Sequence, residues 1–206
     1  MRAHDVVGIT LIAGLVAFLI GAGGWRLAYE KPLIEALRVI HTDRRRRAWI
    51  HLWMIPAMFL TAAGVAGFGV LLPDPDAAAI AGMAAVVYAL GALCWVVSLT
   101  FRLTVVPWAA QVTVEDGAPP QVFPPFDYWA GSLYIAHMAS AYAAFAVLGA
   151  AVLVSEALPP WLGWLGIGGG AAFLAGFVAT RFRGPFNPPF WAHTYTGILG
   201  VLLVLR

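Results

Sequence analysis

The stretch His41-Thr42-Asp43-Arg44-Arg45-Arg46-Arg47-Ala48-Trp49-Ile50-His51 runs without a break into an apolar segment that ends at Leu72. Four consecutive arginines are costly in hydrocarbon, whereas about 20 apolar residues suffice to cross it, so the junction marks a membrane boundary. The arginines assign that boundary to the cytoplasmic side, and every other segment is oriented from it.

Composition agrees with this starting point. Of 206 residues, 62% are hydrophobic and 11% charged, with a mean hydropathy of +0.84, far from the roughly 25% charged residues of soluble domains. The expected fold class is all-α: a polytopic transmembrane bundle of six helices, forming a single integral-membrane domain over 1–206. A net charge of +2, with basic residues gathered at helix ends, excludes nucleic-acid binding. The single cysteine, Cys94, excludes an intramolecular disulfide, a redox Cys-X-X-Cys pair and a thiolate metal cluster.

Outward from the arginines, the first expected span is 6–23, an uncleaved helix whose N-terminus faces outside because the following loop carries most of the charge. In 32–41, Leu33, Ile34, Leu37 and Ile40 recur at helical spacing and Pro32 suits a first turn, which predicts a short helix along the inner interface. The alternative is that it prolongs the first span. The second span, 48–72, contains Pro56 and three glycines, Gly64, Gly67 and Gly69, placed for close helix packing.

The third span, 77–101, returns inward and ends at Arg102. A cytoplasmic loop is expected over 103–125, where Glu115-Asp116-Gly117 permits a small hairpin despite Pro119, Pro120, Pro124 and Pro125. Spans four to six cover 128–154, 161–180 and 190–205, with Asn187-Pro188-Pro189 breaking the chain before the last. Within the fifth, Gly166, Gly168, Gly169 and Gly170 leave little side chain, so another helix must approach that backbone. Arg26, Lys31, Arg38, Arg44 to Arg47, Arg102, Arg181 and Arg183 then fall inside, against Arg2 and Arg206 outside. The termini are both predicted outside a bacterial inner (plasma) membrane.

All ten acidic residues lie in loops or at helix ends, which argues against an ion pump or intramembrane aspartyl chemistry. No Gly-X-Ser-X-Gly elbow and no His-Glu-X-X-His zinc motif is present. Three histidines remain at depth. His137 shares its face with Tyr134, Ser140 and Ala144, His193 with Thr196, Gly197 and Gly200, and His51 with Met54, Ile55 and Met58. By helix rise His51 and His193 lie within one or two turns of the inner boundary and His137 about 5 to 10 Å deeper.

The equal depth makes His51 with His193 the best-matched axial pair for haem b, while His137 alone could ligate a chlorophyll-type pigment. The plainer reading is that each imidazole hydrogen-bonds a neighbouring helix. Most of the nine tryptophans fall near interfaces and read as anchors, with Trp95 well inside a span.

Leu158-Pro159-Pro160-Trp161-Leu162-Gly163-Trp164-Leu165-Gly166, with Gly131-Ser132-Leu133-Tyr134 before it and Phe186-Asn187-Pro188-Pro189 after it, resembles a broad group of uncharacterised bacterial multi-pass membrane proteins. The likeness covers the last third of the chain. It implies a six-helix membrane fold and carries no activity with it.

Three functions stay open at this point. One is a non-catalytic scaffold or accessory subunit that packs against partner membrane helices in a respiratory or photosynthetic assembly. The second is a haem b- or pigment-binding electron-transfer protein using His51 and His193, with His137 as a further ligand. The third is an enzyme or carrier for a lipid-soluble substrate between the helices, with histidine moving the proton.

Overall fold

In a computed structural model describing residues 1–186 and 189–206, the chain forms seven α-helices. They are α1 Ala3–Ala22, α2 Leu33–Thr42, α3 Arg44–Leu71, α4 Pro75–Asp116, α5 Phe123–Ser155, α6 Pro160–Ala179 and α7 Phe190–Val204. No strand occurs among the described residues, so the hairpin expected near Gly117 is not formed. Five helices, α1 and α3 to α6, are long and apolar enough to cross a membrane. The 15-residue α7 is apolar but shorter. The expected chain break at Asn187-Pro188 lies outside the described residues.

Helix α1 packs on α3, α3 on α4, α4 on α5 and α5 on α6, α2 lies on α4, and α7 returns to lie against α1. Glycines set the spacing. A Cβ on Gly14 or Gly64 would strike Thr61 or Leu11 across the α1–α3 contact, and one on Gly69 would stand 3.3 Å from the Cβ of Ala81 on α4. On α6 the run divides by face. Gly163, Gly166 and Gly170 pack on α5, where Gly149 meets the carbonyl of Gly163, whereas Gly168 has nothing within 4 Å. At the chain ends, an Nη1–H of Arg2 donates to the carbonyl of Arg206 at 3.4 Å.

The segment 103–125 differs most from expectation. Helix α4 runs through Arg102 and Pro107 to Asp116, where Gly117 (φ +79°) provides the left-handed cap. At about 1.5 Å per residue its 42 residues reach about 63 Å, twice a hydrocarbon core of about 30 Å. Proline removes one backbone bond here without ending the helix, because the surrounding turns are held by tertiary packing. Val106, Ala109, Ala110 and Thr113 are buried, and α2 packs against this extension with Ala36, Leu37 and Ile40. Of the apolar stripe of α2, Leu37 and Ile40 are covered by protein, while Ile34 stays 40% exposed. Gly23-Gly24 and a 3₁₀ turn Leu27–Glu30 separate α2 from α1, so it does not prolong the first span.

The junction at the arginines is tied down by side chains. Tyr29 donates from its hydroxyl to Asp43 at 2.5 Å, and Arg26 pairs with the same carboxylate at 3.2 Å. Burial, then the carboxylate, pushes the Tyr29 phenol up to about 12. Arg47 is not in water with the other arginines: it is 5% exposed. Its guanidinium lies over the ring of Tyr29 at 4.4 Å and over Trp25 at 5.1 Å. Arg102 and Asp127 join α4 to α5 at 3.6 Å on the same side of the bundle.

Candidate functional site

The middle of the bundle is where polar chemistry collects. His51, His137 and His193 are 3%, 1% and 0% exposed, and no carboxylate is buried among the described residues. Each imidazole faces inward, His137 and His193 with small residues beside them and His51 beside Met54 and Met58. His137 comes from α5, where Ala141 and Ala144 are buried with it, and His193 from α7 above Thr196, Gly197 and Gly200.

His51 is the best satisfied. Its Nδ1 lies 2.6 Å from the carbonyl of Arg47, one turn earlier on α3. A carbonyl only accepts, so Nδ1 carries the proton and Nε2 holds the lone pair. The other charged groups that act on this ring are Arg47 and Arg102, at the arginine end of the bundle.

His193 and His137 form a separate centre. His193 Nδ1 shares a hydrogen bond with Thr61 Oγ1 of α3 at 3.3 Å, and Phe18 of α1 stacks on its ring at 4.3 Å. His137 is stacked by Trp95 of α4 at 4.7 Å and meets the ring edge of Tyr88 at 6.0 Å. Tyr88 completes the link: its hydroxyl lies near Thr61 and donates weakly to Met58 Sδ at 3.9 Å. The structure therefore brings His193 toward His137 and leaves His51 apart.

Three nitrogens of this centre, Nδ1 and Nε2 of His137 and Nε2 of His193, are buried without a hydrogen-bond partner. The backbone of Gly91 approaches His137 without completing a bond. Leaving such groups unpaired costs about 1–3 kcal/mol each; the Ser98 and Tyr195 hydroxyls share that state, whereas Thr113 and Thr196 bond within their own helices. Neutral imidazole can ligate a metal centre, relay a proton or accept from a partner. Among the described residues no group of three or more His, Cys, Asp or Glu gathers as a metal site.

Sequence reasoning found the three histidines and set Trp95 apart by its depth. It missed Phe18, Thr61 and Tyr88, which carry no signal until α1, α3 and α4 are assembled around α5 and α7. No protein-family model, no curated protein and no solved structure matches the chain.

Proposed function

We propose that the chain is a non-catalytic scaffold or accessory subunit of a larger membrane assembly, and that its docking face for a partner helix is the outer side of α6. The observation that carries this reading is a stripe of small residues, Gly168, Ala172, Ala175 and Ala179, spaced one helical turn or two apart, with Ala172, Ala175 and Ala179 exposed and open space beyond Gly168. The outer face of α4 is bulkier, as lipid tails favour: Met83, Val86, Leu90, Leu93 and Val97 stand out from it. Helices associate in lipid where small side chains let backbones approach, so this stripe supports partner packing.

A bacterial inner membrane with six crossings and both termini outside is the setting for this role. The contact between Arg2 and Arg206 supports an even number of crossings, which makes α7 the sixth, at about 23 Å against a core of about 30 Å. Such a mismatch is met by local thinning of the bilayer. The arginine distribution supports the orientation, with α2 at the inner boundary. The test is cysteine crosslinking in native membranes. Ala172→Cys forms one specific adduct that Gly168→Leu abolishes; a chain that stays monomeric with no adduct overturns the reading.

A second reading, a haem b- or chlorophyll-type-pigment-binding electron-transfer protein, draws on the unpartnered imidazole nitrogens. The expected pair is His51 with His193, with His137 as a further ligand; the unbonded nitrogens favour His137 with His193, while His51, its Nδ1–H held by the Arg47 carbonyl, keeps an Nε2 lone pair for the same use. Trp95 and Phe18 cover ring faces and leave the nitrogen edges, through which a metal is ligated. Protein from its own membranes then shows Soret-region absorbance that His137→Ala and His193→Ala each remove. A colourless preparation excludes it.

A further inference from the structure

Beside the central histidines, the bundle has a gap on its flank. Helices α6 and α7 both lean on α5, but a slot of 170 Å³ remains between them. Its walls are aromatic. Phe173 and Trp191 stack across one end at 5.3 Å with 19° between their planes, and Phe145 and Tyr195 meet on the α5 side at 5.4 Å. Gly166 and Gly169 give a third side with no side chain, so the space is flat and narrow.

The slot opens outward past Leu165 and Trp191, which are 43% and 45% exposed on the apolar exterior. A molecule dissolved in the bilayer reaches it sideways. A cavity of about 150 Å³ is enough to hold a benzene ring, so 170 Å³ admits one six-membered ring and leaves any chain attached to it in the lipid.

Three hydroxyl residues line the slot; Tyr142 and Thr194 donate to the carbonyls of Phe186 and Phe190, which leaves Tyr195. Tyr195 is 7% exposed, and its hydroxyl, which lies against the α-carbon side of Gly166, has no hydrogen-bond partner. A phenol buried in hydrocarbon without a partner is unfavourable, and the neighbouring slot is the space from which an acceptor could come. An acyl chain fills a slot but brings no acceptor. A ring bearing a carbonyl brings both the shape and the lone pair.

We propose that this slot binds the ring of a lipid-soluble quinone, with the Tyr195 hydroxyl donating to its carbonyl between the aromatic walls of α5, α6 and α7. The site is separate from the exposed stripe on α6 and does not depend on the partner reading.

Duroquinone is the probe, because it is a single ring with two carbonyls, and durene is its counterpart without them. With the full chain in lipid nanodiscs and empty discs as baseline, duroquinone binds saturably at one per chain. Tyr195→Phe keeps the shape and weakens duroquinone about tenfold, the loss of one buried hydrogen bond, with durene affinity unchanged. Gly169→Leu fills the slot and abolishes binding of both; the Cβ itself is tolerated there, with Phe173 3.9 Å away. Partition into discs no greater with the chain than without it overturns the proposal, as does wild-type affinity in either variant. Durene that displaces duroquinone as well as duroquinone itself does makes the slot an acyl-chain site and overturns it equally.

Discussion

Gly8 and Gly200 face each other backbone to backbone: a Cβ on Gly8 would stand 2.6 Å from the carbonyl of Gly200, and a Cβ on Gly200 would stand 2.7 Å from the carbonyl of Gly8. The reciprocity fixes how closely α1 and α7 approach, and backbone cannot swing aside as a side chain does. Gly200→Val is expected to destabilise the bundle by about 1–3 kcal/mol through overpacking. Gly168→Ala, where nothing stands within 4 Å, is expected to be neutral or stabilising by up to about 1 kcal/mol. Reversible unfolding in mixed micelles measures both.

The Tyr29 hydroxyl held by Asp43 gives a dependence on pH. The folded phenol is pushed up to about 12 from an ordinary value of 10.0, so folding favours the neutral form. Its contribution is complete below about pH 10 and is lost as pH rises through about 12. Tyr29→Phe is expected to cost about 1 kcal/mol at neutral pH, a discounted figure because Asp43 keeps 20% exposure. Unfolding curves of the two proteins should converge between pH 10 and 12.

Among the four arginines, Arg47 differs from Arg45 by burial. Arg47→Ala is expected to cost about 1–2 kcal/mol and to loosen the packing of Trp25 and Tyr29, since both the cation–aromatic contacts and the apolar stem are lost. Arg45→Ala is expected to be silent. Tryptophan emission across the unfolding transition separates the two.

The histidines should respond unequally to replacement by a ring of similar shape. In ligand-free protein His137→Phe removes no hydrogen bond and is expected to leave stability unchanged or raise it by about 1 kcal/mol. His51→Phe removes the bond to the Arg47 carbonyl and is expected to lower it by about 1 kcal/mol. Denaturation midpoints measured side by side decide this; equal losses would mean that His137 has a partner in solution.

Much of the fold is legible in the chain because lipid imposes a simple code. The packing glycines at Gly64, Gly67 and Gly69 and five of the six expected apolar lengths mean what local reasoning says they mean, whereas the arginine run does so only in part, because Arg47 is buried. The stretch after Arg102 was not legible. A charged residue and Pro107 each favour a stop locally, but with α2, some seventy residues earlier, and α5 both packed on α4 the helix runs on to the Asp116-Gly117 pair, where it does end. The glycines of α6 were half legible: spacing showed that a helix approaches, while the assembled bundle shows that Gly163, Gly166 and Gly170 meet α5 and Gly168 does not. The same limit applies to the histidines. Helix rise measures depth along an axis, whereas the neighbour each ring meets depends on how the helices are turned about theirs.

Helices α4 and α5 run on together past Arg102 and Asp127, and after Pro124 and Pro125 in its first turn α5 has no proline up to Ser155. A rod without a proline tilts as one body instead of bending locally. A push on the tip around 117–122 is therefore expected to reach His137, about 21 Å along α5, as a tilt of the whole helix that changes its stack on Trp95.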